Sequence, residues 1–314
     1  MNEKVLVKQA QTYKQRTYRG NKVSIFAEAC IHFIIGGFAL ACVIPFIFIT
    51  IIAFSSADSL RQVGYSFFPV EWTLTSFRAA FDMGGALWRS FFNSIYVTVV
   101  GTAISVFMTV TYAYGLYRRD YPFRKFFAFF VFFTMVFSGG LVPTVVVIRS
   151  LLGIGNTYWA MIIPLLFNPF NVIIMRTFFK TSIPESLIEC ASLDGSGEFR
   201  TLITIVVPLA KPGIATVALL TAIAYWNDWF QAMLFIRDSD LFPLQYLLME
   251  IQQNIDFLRR NIAMIGSIGI NLADLPGAGL RMALAVIIVV PIAFAYPFFQ
   301  RFIISGLTVG AIKE

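Results

Sequence analysis

The chain has 314 residues, 58% of them apolar and only 13% charged, with 34 Phe and a formal net charge of +7. Globular domains are nearer half apolar and a quarter charged, so this composition excludes an ordinary soluble domain and points to an integral membrane protein. In such a chain the basic excess carries meaning through its distribution along the membrane and does not indicate a nucleic-acid partner. Cys30, Cys42 and Cys190 have no paired spacing and His32 has no second histidine, so neither a disulfide framework nor a metal site is expected.

Residues 1–30 carry Lys4, Lys8, Lys14, Arg16, Arg19 and Lys22 and read as a basic cytoplasmic tail lying along an anionic leaflet. No apolar region follows early enough for a cleaved signal peptide. Ile31 to Phe54 is then 24 residues without a charge, long enough to cross a hydrocarbon core that takes roughly 20 helical residues. Five further runs follow, giving spans at about 31–54, 91–117, 126–148, 158–175, 212–236 and 282–304. The runs are continuous rather than alternating, so they are helices and not barrel strands. Pro45, Pro143, Pro164 and Pro291 fall inside them, where packed neighbours can absorb a lost backbone bond.

Orientation follows from Lys and Arg near the span ends. Arg118, Arg119, Arg124 and Lys125 follow the second span, whereas only Arg149 follows the third. With the N-terminus inside, 16 basic residues face the cytoplasm and 8 face outward, so both termini are expected to be cytoplasmic. The outer segment 237–281 includes a stretch at 241–251 with helical apolar spacing, suited to packing on the bundle or to receiving an external partner, with packing the preferred reading.

The segment 176–211, between the fourth and fifth spans, is the most polar internal stretch. Ser182 and Glu185 have the spacing of a capping box, with Pro184 in the first turn of a helix over about Ile183–Leu193. Asp194 and Gly195 supply a stop. A second helix, roughly Glu198–Val206, is expected to end before Pro208. Ile183, Leu187 and Ala191, with Ile188 beside them, form an apolar stripe suited either to a partner or to packing under the spans.

Glu189-Cys190-Ala191, then Gly195, Ile205 and Pro208, resembles the Glu-Ala-Ala loop of the permease subunits of bacterial ABC importers. The family pattern has three residues from Glu-Ala-Ala to Gly, nine to Ile, and one before Leu-Pro; here Cys190 replaces the second Ala and Val207 replaces Leu. Phe137–Thr144, Asn156–Ala160, Ala224–Trp229 and Gly306–Glu314 look like the carbohydrate-uptake branch, in particular its oligosaccharide members. The resemblance implies an all-α membrane protein of six transmembrane helices, with the type I importer (MetI-like) permease fold. It implies a bacterial cytoplasmic-membrane sugar importer in which Glu189, Cys190, Ala191, Asp194, Gly195, Ile205 and Pro208 contact the ATPase. Lys313 would lie in a C-terminal tail, 306–314, that also reaches the ATPase subunits. The implied partners are a second, different permease chain, two cytoplasmic ATPase subunits that bind ATP and Mg, and an extracytoplasmic solute-binding protein. No cofactor is expected on this chain itself, and the sequence has no Gly-x-x-x-x-Gly-Lys-Ser/Thr loop.

Within the spans, Trp226, Asn227, Asp228 and Trp229 combine aromatic faces with polar groups and suit a carbohydrate, as do Asn168 and Asn171. An interfacial belt, with Asp228 reaching the headgroups or a basic residue of the partner chain, explains the first group better, and interhelical hydrogen bonds explain the asparagines better. An ion-coupled secondary transporter is the alternative; it calls for inverted repeats or mid-membrane ionisable groups, and only Asp228 stands out.

Overall fold

The computed structural model describes residues 24–260 and 277–311, and most of the basic tail and Lys313 lie outside them. Three helices are long and apolar enough to cross a membrane unaided: α1 (Ile25–Ala53), α4 (Gly85–Tyr117) and the first part of α14 (Ala278–Ala311). Between α1 and α4 lie two short helices, α2 (Ala57–Gln62) and α3 (Thr75–Phe81).

The other three expected spans are bent pairs. Helix α5 (Arg124–Val136) turns 113° into α6 (Leu141–Leu151), α7 (Tyr158–Leu165) turns 52° into α8 (Pro169–Ser182), and α10 (Glu198–Leu209) turns 84° into α11 (Lys211–Trp226). Counting each pair as one crossing accommodates six spans. The apolar run at 126–148 therefore does not form one straight helix. It breaks at Phe137–Gly140, where Gly140 takes φ +84°, a conformation nearly confined to glycine. The run at 212–236 ends as a helix at Trp226, and α12 (Phe230–Phe235) follows a three-residue break. Proline placement explains where helices restart: Pro169 and Pro212 occupy first-turn positions, where the missing N–H is no loss.

Helix α4 is the central element, packed against both α8 and α11, while α14 packs on α11, α1 and α3. Close approach of α4 and α11 depends on Gly101, since a Cβ there would lie 2.6 Å from the Tyr225 ring. Tyr225 is itself pinned, donating its hydroxyl to the Ile162 carbonyl at 2.9 Å. A row of hydroxyls runs along α4, and those of Thr98, Thr102, Ser105 and Thr109 are enclosed. The outer helix α13 (Leu244–Arg260) buries Leu244 and Leu247 against Ala80, Leu87 and Leu284, which is the packing role its spacing implies.

One core cluster determines the geometry of the site. It joins Val110, Ala113 and Leu116 of α4 with Val172, Met175 and Phe179 of α8, and extends to Ile183, Ile188, Leu202 and Val206. The polar segment is thus seated on the bundle by its own apolar residues.

Candidate coupling site

Helix α9 (Glu185–Leu193) begins two residues later than its sequence signal implies. Ser182 closes α8 instead of capping α9, and its hydroxyl has no partner. Pro184, expected in the first turn, is the residue before the helix. With Ser182 in α8 and Pro184 at the cap position, the expected capping box does not form, and Glu185 pairs instead with Arg119, Nε to Oε1 at 3.1 Å.

The C-terminus of α9 does follow the sequence. Gly195 stands at φ +76°, the Gly195 amide donates to Ser192 O at 3.1 Å, and the Ser196 amide donates to Ala191 O at 2.9 Å. These two bonds make a Schellman motif. It explains the spacing of Ala191 and Gly195 physically, because the carbonyl that must be closed lies four residues before the glycine. Asp194 is the exposed residue at the junction. Beyond it α10 continues through Pro208 to Leu209 rather than ending before the proline. A wider π turn at Leu202–Val206 immediately precedes, which relieves the clash a proline ring makes with the preceding turn.

The apolar stripe is rotated from its expected position. Ile188 and Ala191 are buried, whereas Leu187 is exposed. Leu187 joins Leu193, Phe199 and Ile203 as large apolar side chains facing away from the bundle, with Leu193 88% exposed. Glu189 and Cys190 are exposed on the same helix, Ile205 is half-buried and Pro208 is exposed.

A polar latch ties this segment to the end of α4. The Tyr114 hydroxyl donates to Glu198 Oε2 at 2.7 Å, and Arg118 pairs with Glu198 Oε1 at 2.9 Å while also engaging Asp120. The Tyr117 hydroxyl donates to the Ile183 carbonyl at 3.0 Å. Arg118 is only 14% exposed, which distinguishes it from the solvent-screened Arg119–Glu185 pair. A cavity of about 420 Å³ opens between latch and helix, lined in part by Tyr117, Arg119, Glu189 and Ser192. Sequence reasoning used Arg118 and Arg119 only for orientation. The signal for the latch was available as charge complementarity with Glu185 and Glu198, but only the fold brings those acids to α4.

The other candidate residues do not gather into one place. Asn168 caps α8, accepting from the Phe170 amide at 2.9 Å. Asn171 is buried and donates to Thr221 Oγ1 at 3.2 Å, joining α8 to α11. Trp226 is buried, with Nε1 donating to the Ile288 carbonyl at 3.3 Å. Asn227 is exposed and accepts from Gln245, and Asp228 and Trp229 are half-buried in the break after α11.

Among the described residues, a helical bundle with bent crossings and a capped polar loop seated at one end is an architecture suited to a membrane permease. Residues 126–309 match the model of the binding-protein-dependent transport system inner membrane component family. The chain belongs to this family and is the permease subunit of an ABC importer, a transport subunit and not an enzyme. It is 37% identical to Protein LplC of Bacillus subtilis over 95% of this chain and 98% of that protein. It is also 37% identical to the polygalacturonan/rhamnogalacturonan transport system permease protein YtcP of the same organism, over 88% and 94% of the two chains. A chain of a bacterial ABC transporter involved in import of the acidic polysaccharide alginate superposes with a TM-score of 0.76 at 30% identity, covering 90% of this chain and 99% of that one. Family membership sets aside the ion-coupled alternative.

Proposed function

We propose that this chain forms one half of the membrane pathway of an oligosaccharide importer, and that the segment from Glu189 to Pro208 is the seat of its ATPase. The observation that carries the coupling role is the exposure of the large apolar side chains Leu187 and Leu193 of α9 and Phe199 and Ile203 of α10, in the segment that also exposes Glu189 and Asp194. A segment that buries Ile188 and Ala191 against the bundle and still exposes these four large apolar side chains is built to be covered by another protein. The basic bias of the connections supports a cytoplasmic position for this end and for both termini.

In the proposed assembly a second permease chain completes the pathway, two ATPase subunits bind ATP and Mg, and a solute-binding protein delivers cargo outside. ATP-driven closure displaces α9. The latch through Arg118, Glu198, Tyr114 and Tyr117 passes that displacement to α4, and α4 passes it to α8 and α11, on which it packs. The bent crossings then supply segments able to rotate as units, a rigid-body route to alternating access. The relatives named for polygalacturonan and for arabinooligosaccharides, with the alginate importer, support an oligosaccharide cargo. Asn227, Asp228 and Trp229 remain the candidates to meet it, and Lys313 the candidate tail contact.

The test is co-purification of the chain with its ATPase subunits, followed by oligosaccharide-stimulated ATP hydrolysis and uptake. Leu193→Ser combined with Phe199→Ser is expected to abolish ATPase capture while leaving the fold intact. Undiminished capture and uptake in that variant would sink the docking assignment.

A further inference from the structure

Arg124, Arg176 and Lys180 lie near the coupling end of the bundle and take no part in the latch. Arg124 opens α5, while Arg176 and Lys180 stand one turn apart on α8 and so share a side of that helix. Helix α5 packs on α8. Arg124 acts electrostatically on both Arg176 and Lys180, and Arg119 acts on Lys180 as well. The acids of this region are engaged elsewhere: Glu185 pairs with Arg119, and Asp120 and Glu198 pair with Arg118.

Among the described residues no ion pair neutralises Arg124, Arg176 or Lys180. Arg176 is half-buried, and its Nε is closed off from solvent with no hydrogen-bond partner. Like charges held close repel one another, and an enclosed donor without an acceptor is a further cost. An oxyanion between the helices removes both costs. Two guanidinium forks and an ammonium suit phosphate geometry.

The apolar surface that follows Arg124 on α5 indicates which phosphate. In the turns following Arg124, α5 exposes Phe126, Phe129, Phe130 and Phe133. An outward face of phenylalanines with cations at its foot is the arrangement of acyl chains above headgroups. We infer that Arg124, Arg176 and Lys180 form a binding site for the phosphate of an anionic phospholipid in the leaflet beside the coupling segment. The inference rests on the membrane setting of the family and is independent of the docking role given to α9.

The experiment uses the complete importer, co-expressed with its partner subunits and reconstituted into vesicles of phosphatidylcholine with phosphatidylglycerol. Native mass spectrometry then reads phosphatidylglycerol retained per complex. Lys180 is exposed, so Lys180→Gln leaves the fold undisturbed and is expected to lower retention about fivefold, the factor per basic side chain at an anionic surface. Adding Arg176→Gln is expected to lower it by roughly a further fivefold. Arg200→Gln, an exposed basic change outside the cluster, is expected to leave retention unchanged. Wild-type retention in both cluster variants overturns the site, and an equal loss with Arg200→Gln overturns it in favour of diffuse surface charge. Unchanged retention, with a raised KM for acidic over neutral oligosaccharides, assigns the cluster to the cargo and likewise overturns the proposal.

Discussion

Replacing Gly195 isolates the contribution of the Schellman turn to coupling. A Cβ at this position meets nothing within 4 Å, so collision plays no part and the cost comes from backbone conformation alone. At φ +76° a residue with a Cβ pays about 1–2 kcal/mol, which depopulates the capped form by roughly 5- to 30-fold. Asn tolerates the left-handed region better than Ala, and Val tolerates it least. The expected order of coupling is therefore Gly195, then Gly195→Asn, Gly195→Ala and Gly195→Val. Hydrogen exchange at the Ser196 amide reports the turn directly, because this amide closes it on Ala191 O. Oligosaccharide-stimulated ATP hydrolysis by the purified complex reports the functional consequence. If Gly195→Ala retains full Ser196 protection and full stimulation, or if Asn proves no better than Val, the conformational reasoning is refuted.

Gly101→Ala should destabilise the bundle by about 1–3 kcal/mol, because the new Cβ lies 2.6 Å from a Tyr225 ring held at its hydroxyl; the thermal inactivation midpoint of the importer checks it. Arg118→Gln should cut cargo-stimulated hydrolysis more than Arg119→Gln does, since Arg118 is largely enclosed and holds Glu198, whereas an exposed pair contributes about 0–1 kcal/mol; equal losses would contradict the latch. Asn171→Ala and Thr221→Val should each cost about 0.6 kcal/mol, and up to about 1.7, and should not add, because they remove the same hydrogen bond. A double-mutant cycle on thermal stability measures the pair, and an additive result counts against it. Uptake KM should be unchanged in both, marking Asn171 as a packing residue.

The coupling segment was largely legible along the chain. Glu189-Cys190-Ala191, Gly195, Ile205 and Pro208 stand in sequence at family spacing, and Gly195 falls where the chain needs a positive φ, a local requirement that local sequence can encode. The apolar runs likewise declared helices, since hydrophobic length is a property of the segment itself. What stayed hidden depends on neighbours. Ser182 and Glu185 have capping-box spacing, yet α8 runs on through Ser182 and Pro184 takes the cap position of α9, so the neighbouring helix overrides a local cap and leaves Glu185 to the Arg119 that follows α4. Leu187 belongs to the same apolar stripe as Ile188, yet only the way α9 is seated leaves one exposed and the other buried.

Asn171 and Trp226 could equally have faced a sugar or a neighbouring helix. The Asn171 bond to Thr221 arises where α8 crosses α11 closely at Gly213, and the Trp226 bond to the Ile288 carbonyl where α14 packs on α11, crossings that no periodicity reveals. By itself the sequence determined the membrane class, the helical runs, the charge bias and the coupling motif, all properties written within single segments. Tertiary structure alone decided where the runs bend, which acids hold Arg118 and Arg119, and that Arg124, Arg176 and Lys180 are brought together with no acid among the described residues paired to them. Those are relations between segments far apart in the chain, set by how the helices pack.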